Sequence, residues 1–277
     1  MLRFSLRKGR VGVLEVAGTI GGRSSISELA QTIDSIRTNR RIKALVLEID
    51  SPGGSASASE MLYESVKQIA SQKPVVAYIR GTGASGAYYL SCAAHRIVAL
   101  PTALVGSIGV ILVRPVMEQM LSKLGVGVSV YKGGHLKDMG SPWRPPTDEE
   151  EERLQGLISE IYGNFVGVVA RERSLDPGEA ERLATGEIYT GRKAVELGLV
   201  DDVGTSQRAV AIAASMGGIR PRVQWVKPKR PLMERMLGRM GSSGSALYLV
   251  QEMERAMMGG IYYLSPSPAV ASSRWET

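Results

Sequence analysis

The chain reads as an α/β layered fold, and three observations predict it. Short β-branched apolar runs, VGVLEV (11–16), KALVLEI (43–49) and PVVAYI (74–79), alternate with stretches of helical periodicity. Thirty-two glycines against an aromatic share of 5% favour tight turns and close backbone approach over a core built on large rings. A hydrophobic content of 44% over 277 residues is enough for a sizeable buried core, as one large domain or two small ones.

The elements follow in order. Each of the three runs ends in a glycine-bearing turn and reads as a buried strand. Between them, Ile26, Leu29, Ala30, Ile33 and Ile36, and then Met61, Leu62, Val66 and Ile69, recur at helical spacing. Strand, helix, strand, helix, strand is the pattern of parallel crossovers. RIVAL (96–100), GVILV (109–113) and GVSVY (127–131) predict further short strands, with a helix near 115–124. A long helix is expected from Thr147, where Thr147 and Glu150 have the spacing of a capping box, and another from Asp176 and Pro177. From about residue 218 the composition turns basic and Met-rich, then Ser/Pro-rich, which divides the chain into a globular domain, 1–217, and a basic, partly helical C-terminal tail, 218–277.

Charge narrows the function classes. The net charge of +7 is uneven: residues 1–10 hold four basic groups, and 220–239 hold seven against Glu234. These ends read as solvated basic segments, with contact to an anionic membrane surface as the functional alternative. No aromatic-rich RNA motif, zinc spacing or helix-turn-helix signature accompanies them, so no nucleic-acid partner is expected. Nor is a cofactor or metal site. A single cysteine, Cys92, excludes an internal disulfide framework and reads as a small buried residue. There is no run of about 18 apolar residues and no export signal, so a cytoplasmic or peripheral-membrane location is expected.

Chemistry concentrates in two glycine-rich loops at strand ends, DSPGGS (50–55) and GTGASGA (81–87). Each leads into a helix whose first backbone N–H groups lack intrahelical partners, and two such donors beside a serine make an oxyanion hole for acyl transfer. Ser85 then needs a base. His95 and His135 have no neighbouring acid at a suggestive spacing and read as packing or surface residues. A lysine serves instead when burial lowers its pKa from ~10.4 toward ~7–8. Asp50 and Asp138 read as loop anchors, Ser51 and Ser55 as turn residues, and Tyr88 and Tyr89 as packing at the helix root.

Four motifs in order, IDSPGGS (49–55), GASGAYYLSCAAHRIVA (83–99), GSIGVI (106–111) and YKGGHLKDMGSPWR (131–144), closely resemble the signal peptide peptidase A family of serine–lysine peptidases, of the Clp protease/crotonase superfold. The likeness runs from about residue 11 to 217 and includes GEIYTGRKAVELGLVDDVG (186–204). It implies a layered fold of repeated β-β-α and βαβ units with a C-terminal helical region. It implies Ser85 as nucleophile and Lys137, directly before Asp138, as general base, in preference to Lys132. Gly54 and Gly86 would supply the oxyanion-hole N–H groups, and Ser107 would orient the lysine. Ala87 stands where a second glycine is common, and the membrane anchor usual in the family is not seen. In the short forms serine and lysine are thought to come from neighbouring subunits, so a homo-oligomer with shared sites is expected.

The resulting expectation is a serine endopeptidase acting on extended hydrophobic peptides such as remnant signal peptides, with activity rising on the alkaline side. A crotonase-like enzyme acting on acyl thioesters, or an inactive assembly scaffold, are the alternatives. In the tail, Ala269, Val270 and Ala271 form a small-x-small pattern like a signal-peptide cleavage region, which would let the tail enter an active site and be trimmed or inhibit. The upstream stretch 246–258 reads as a docking or membrane-surface helix.

Overall fold

The computed structural model describes residues 8–21, 26–228 and 261–264. Its centre is a mainly parallel sheet. Strands β1 (Arg10–Ala17), β2 (Ile42–Ser51), β4 (Val75–Ala84) and β5 (Arg96–Ala99) lie side by side, with β10 (Val223–Val226) beyond β1 and β9 (Asp202–Val203) beyond β5. Helices α1 (Ile26–Thr38), α2 (Ala56–Ala70) and α3 (Gly86–Ser91) make the crossovers, as the alternation of patterns predicts.

Side-chain alternation in β1 and β2 explains why both faces of the sheet are covered. Leu14, Val16, Leu45, Leu47 and Ile49 point to one face and pack with Ile33, Ile36, Leu62 and Val66 of α1 and α2. Val11, Val13, Ala44 and Val46 point to the other face, against Ala209 and Ala213 of α8 (Ser206–Met216). Strands buried on both faces are near-continuous apolar runs, which is how they appear in the sequence.

The long helix α5 (Asp148–Arg173) starts at Thr147 with both halves of the capping box formed, and Phe165 on it is fully buried. The next helix, α6 (Pro177–Leu183), is capped by Asp176 with Pro177 in its first turn. The chain returns through β8 (Ile188–Thr190), antiparallel to β6 (Leu104–Gly106), and α7 (Gly191–Glu196). Between β6 and α5 lie β7 (Ile111–Leu112) and α4 (Glu118–Lys123).

Several expectations are corrected. GVSVY (127–131) is not a strand: no other segment pairs with it among the described residues, and Val128, Val130 and Tyr131 are exposed. GTGA (81–84) is not a turn but the end of β4, where Thr82, Gly83 and Ala84 pair with β6. Its glycines serve close approach, since a Cβ on Gly81 would sit 2.5 Å from the Asp50 carboxylate. Val223–Val226, beyond the compositional edge at 217/218, extends the main sheet alongside β1. The helices expected in the rest of the tail lie outside the described residues. A second, small sheet of order β3–β11–β7 joins β3 (Gly53–Ser55) to β7 through β11 (Ile261–Leu264).

Candidate active site

Parallel strands deliver their C-terminal ends to one edge of the sheet, and here β2, β4 and β6 bring three of the sequence motifs together. Pairing of Ser51 with Gly83 sets the SPGG loop beside the GASG loop, and pairing of Ala84 with Gly106 sets GASG beside GSIG. The register jumps from Ile49↔Ile79 to Ser51↔Gly83, four steps along β4 against two along β2, so β4 bulges at this point. The bulge is held by the Thr82 N–H donating to Asp50 Oδ1 at 3.0 Å. Arg80, within it, donates to Glu48 at 3.1 Å and to Glu15 at 3.0 Å. Asp50 is therefore a loop anchor, as its place in the turn suggests. The Arg80 cluster has no signal in the local sequence, because the partners of Arg80 come from two other strands, β1 and β2.

Ser85 stands at the junction of β4 and α3 with φ 54° and ψ −121°. A side chain at positive φ costs about 1–3 kcal/mol and persists only where the surroundings over-determine it. They do so here: the Ser85 N–H donates to the Gly106 carbonyl at 2.7 Å, its carbonyl accepts from Tyr89 N–H at 2.9 Å, and Ala84 and Ala87 on either side are fully buried. A sharp strand-to-helix turn of this kind presents a nucleophile side chain away from the backbone that holds it. The residue is 1% exposed, and its hydroxyl makes no hydrogen bond among the described residues. Ser107, also at positive φ (50°), is 5% exposed, and its N–H donates to the Glu187 carbonyl at 2.7 Å.

Gly54 approaches the same corner from β3, which contacts α3. A Cβ on it would lie 1.9 Å from the Ile20 carbonyl oxygen, so only glycine fits. The preceding Gly53 has φ 96° and donates to the buried Ser51 hydroxyl at 3.2 Å. Ile20, which no motif singles out, is the residue that orients this loop: its N–H donates to the Gly53 carbonyl at 2.8 Å and its carbonyl accepts from Ser55 N–H at 2.9 Å. Gly86 begins α3 directly after Ser85. Tyr88 and Tyr89 root this helix, Tyr88 donating to the Leu199 carbonyl at 2.8 Å and Tyr89 meeting Tyr63 and Phe165 edge-on with centroids 5.1 Å away. Beneath them Cys92 is buried, which pushes its thiol up to about 12.

Lys137 is placed differently. It lies in a turn of the arm 113–147, is exposed, and makes no side-chain hydrogen bond among the described residues. No hydrogen bond joins it to Ser85. The competing Lys132 is engaged, pairing with Asp138 and donating to the His135 carbonyl at 2.8 Å. Asp138 also accepts from Arg144 at 3.0 Å, and hydrogen bonds from Arg144 and Lys132 hold its carboxyl well below the usual carboxylate range. Arg144 reaches on to Glu150 at the start of α5 and pulls that carboxyl down to about 2. This ladder of charges ties the arm to α5. His95 accepts from the Val75 N–H through Nδ1 at 3.1 Å, and His135 lies 3.4 Å from Glu149, so neither histidine belongs to the Ser85 corner.

The comparisons with known proteins place the chain in a family. The model of peptidase family S49 matches residues 67–220, and that of Clp protease matches residues 13–106. A Synechocystis protein carrying a protease name is 36% identical over 241 residues, covering 85% of each chain. A Methanocaldococcus jannaschii protein, also carrying a protease name, is 43% identical over 178 residues, 64% of this chain and 57% of its own length, so this match spans a little over half of that relative. The chloroplastic serine protease SPPA of Arabidopsis thaliana is 35% identical over 77% of this chain and 32% of its own. Among solved structures, a membrane-bound stomatin-specific protease, in a serine-to-alanine mutant, shares the fold with a TM-score of 0.52 at 19% identity, covering 81% of this chain and all of that one. With the Clp protease-like α/β fold, the buried serine corner and a family match across more than half its length, the chain belongs to peptidase family S49.

Proposed function

We propose that the chain is a serine endopeptidase that cuts extended hydrophobic peptides with a Ser85–Lys137 dyad completed between subunits of a homo-oligomer. The observation that carries this reading is Ser85 itself: a buried serine, held at a strained strand-to-helix turn with a hydroxyl that makes no hydrogen bond among the described residues, beside a loop where only glycine fits. Ser85 Oγ attacks the scissile carbonyl carbon, and Lys137 Nζ takes its proton and passes it to the leaving amine. The N–H groups of Gly54 and Gly86 receive the oxyanion. Water then attacks the acyl ester and restores the hydroxyl. Ser107, one strand over, orients the lysine.

Two features support sharing of the site between subunits. A lysine becomes a base near neutrality only when it is desolvated, and the arm of a single chain supplies no such cover for Lys137. The same arm exposes Val113 (64%), Met120 (50%), Leu124 (67%) and Tyr131 (96%), an apolar series that a second copy of the chain would cover. None of the described helices is long and apolar enough to cross a membrane, and peripheral membrane contact of the basic ends stays part of the proposal.

Reaction with a fluorophosphonate probe, followed by peptide mapping, tests the reading. Labelling at Ser85 in the wild type that is lost in Lys137→Ala is the expected result. An unlabelled, fully assembled wild-type protein overturns it, and binding of a coenzyme A thioester by such a protein would move the assignment to the acyl-thioester alternative.

A further inference from the structure

The small sheet β3–β11–β7 is built from pieces of chain far apart in sequence. Its middle strand, Ile261–Leu264, runs antiparallel to both neighbours, with Tyr263 opposite Gly54, Tyr262 opposite Ser55 and Ile111, and Ile261 opposite Leu112. An extended segment paired along both edges is how a groove between two strands holds a peptide. β11 also contacts α3, the helix that begins beside Ser85.

Ladder alternation sets the direction of each group. Gly53 C=O and Ser55 N–H are taken by Ile20 on one edge of β3. The N–H and C=O of the intervening Gly54 therefore face the opposite edge, toward β11, and a residue so turned exchanges both hydrogen bonds with the residue opposite it. Gly54 N–H is thus directed at the Tyr263 carbonyl. In the proposed function that same N–H belongs to the oxyanion hole, so the peptide bond placed for attack is the one between Tyr263 and Leu264.

We propose that Ile261–Leu264 is a built-in substrate: it fills the peptide groove in the productive direction, competes with other peptides, and is cut after Tyr263, which releases the fourteen residues 264–277. The cleavage step rests on the serine-peptidase reading. Ser85 Oγ bonds to the Tyr263 carbonyl carbon, its proton travels through Lys137 to the Leu264 nitrogen as the C–N bond breaks, and water hydrolyses the ester to leave a Tyr263 carboxylate. The small-x-small pattern at Ala269, Val270 and Ala271 lies outside the described residues, and the register singles out a different bond.

Two measurements on full-length protein test this. Intact mass of the wild type, followed over time, should show loss of 264–277, with the chain staying whole in Ser85→Ala. Amide hydrogen exchange should be about tenfold slower or more at 53–55 and 111–112 in Ser85→Ala than in Ser85→Ala/Tyr263→Pro, because proline removes a ladder donor from β11. A wild-type protein that labels at Ser85 yet keeps 264–277, or is cut elsewhere, overturns the cleavage. Equal exchange in the two Ser85→Ala chains overturns the seating. A wild type that does not label overturns the peptidase reading and the cleavage with it, while the exchange pair still decides the seating.

Discussion

The corner around Ser85 and the arm that carries Lys137 are built on opposite principles. The N–H and C=O of Ser85 both have partners in the core, the flanking residues are buried, and an unfavourable φ is held in place by the strands on either side. The arm 113–147 instead exposes its apolar residues and is secured mainly at its base, where Arg144 bridges Asp138 and Glu150 and Arg114 donates to the Ser141 carbonyl at 2.6 Å. A nucleophile needs one fixed geometry, which a packed core provides. A base contributed to a neighbour, as proposed for Lys137, needs reach, and an arm provides that at the expense of local stability.

The largest expected effect tests the division of labour directly. Ser85→Ala and Lys137→Ala should each lower peptide hydrolysis on the order of a thousandfold or more. In the unassembled chain Lys137→Ala should leave the thermal midpoint unchanged, because there its side chain is exposed and makes no hydrogen bond among the described residues. Equimolar mixing of the two inactive variants during assembly should restore about a quarter of wild-type activity if each site takes its serine from one subunit and its lysine from the next. Mixing that restores nothing, in an oligomer shown to have exchanged subunits, would place both groups of the site on one chain.

Gly54→Ala comes next. With a Cβ 1.9 Å from the Ile20 oxygen, the β3 loop must shift, at a cost of about 1–3 kcal/mol in denaturant unfolding together with loss of activity. The contrasting glycine is Gly133 in the arm, which has open space around its Cβ position: Gly133→Ala should change stability by less than about 0.5 kcal/mol.

A pH-dependent effect belongs to the arm's base. Burial alone would raise the Glu150 carboxyl, but hydrogen bonds from Arg144 outweigh it and bring the folded value from an ordinary 4.5 to about 2. A depressed folded pKa means that the pairing stabilises fully above pH 4.5 and loses its contribution as pH falls toward 2. The stability difference between wild type and Glu150→Gln should therefore be constant at neutral pH and shrink through that acid range. A difference independent of pH from 6 to about 2 would show that the Arg144 bridge does not depend on the Glu150 charge.

Much of this was legible from local pattern. The β-branched runs, the helical periodicities and the Thr147 and Asp176 caps each carry their own signal over a few residues, and those elements form where the pattern puts them. GVSVY misled because alternation of apolar residues reports a face that will be covered, without saying whether a strand partner or another surface covers it. GTGA misled in the opposite sense, since glycines read as a turn were there to let β4 bulge against Asp50 and β6.

By itself the sequence determined the parallel α/β core and the order of the glycine-rich motifs, because propensity, periodicity and capping act within a few residues of chain. Only the tertiary structure decided that SPGG, GASG and GSIG share one edge, that Ile20 orients Gly54, and that Ile261–Leu264 lies between β3 and β7. Those relations depend on strand register, which is set by packing between segments as much as 211 residues apart and leaves no mark in either segment alone.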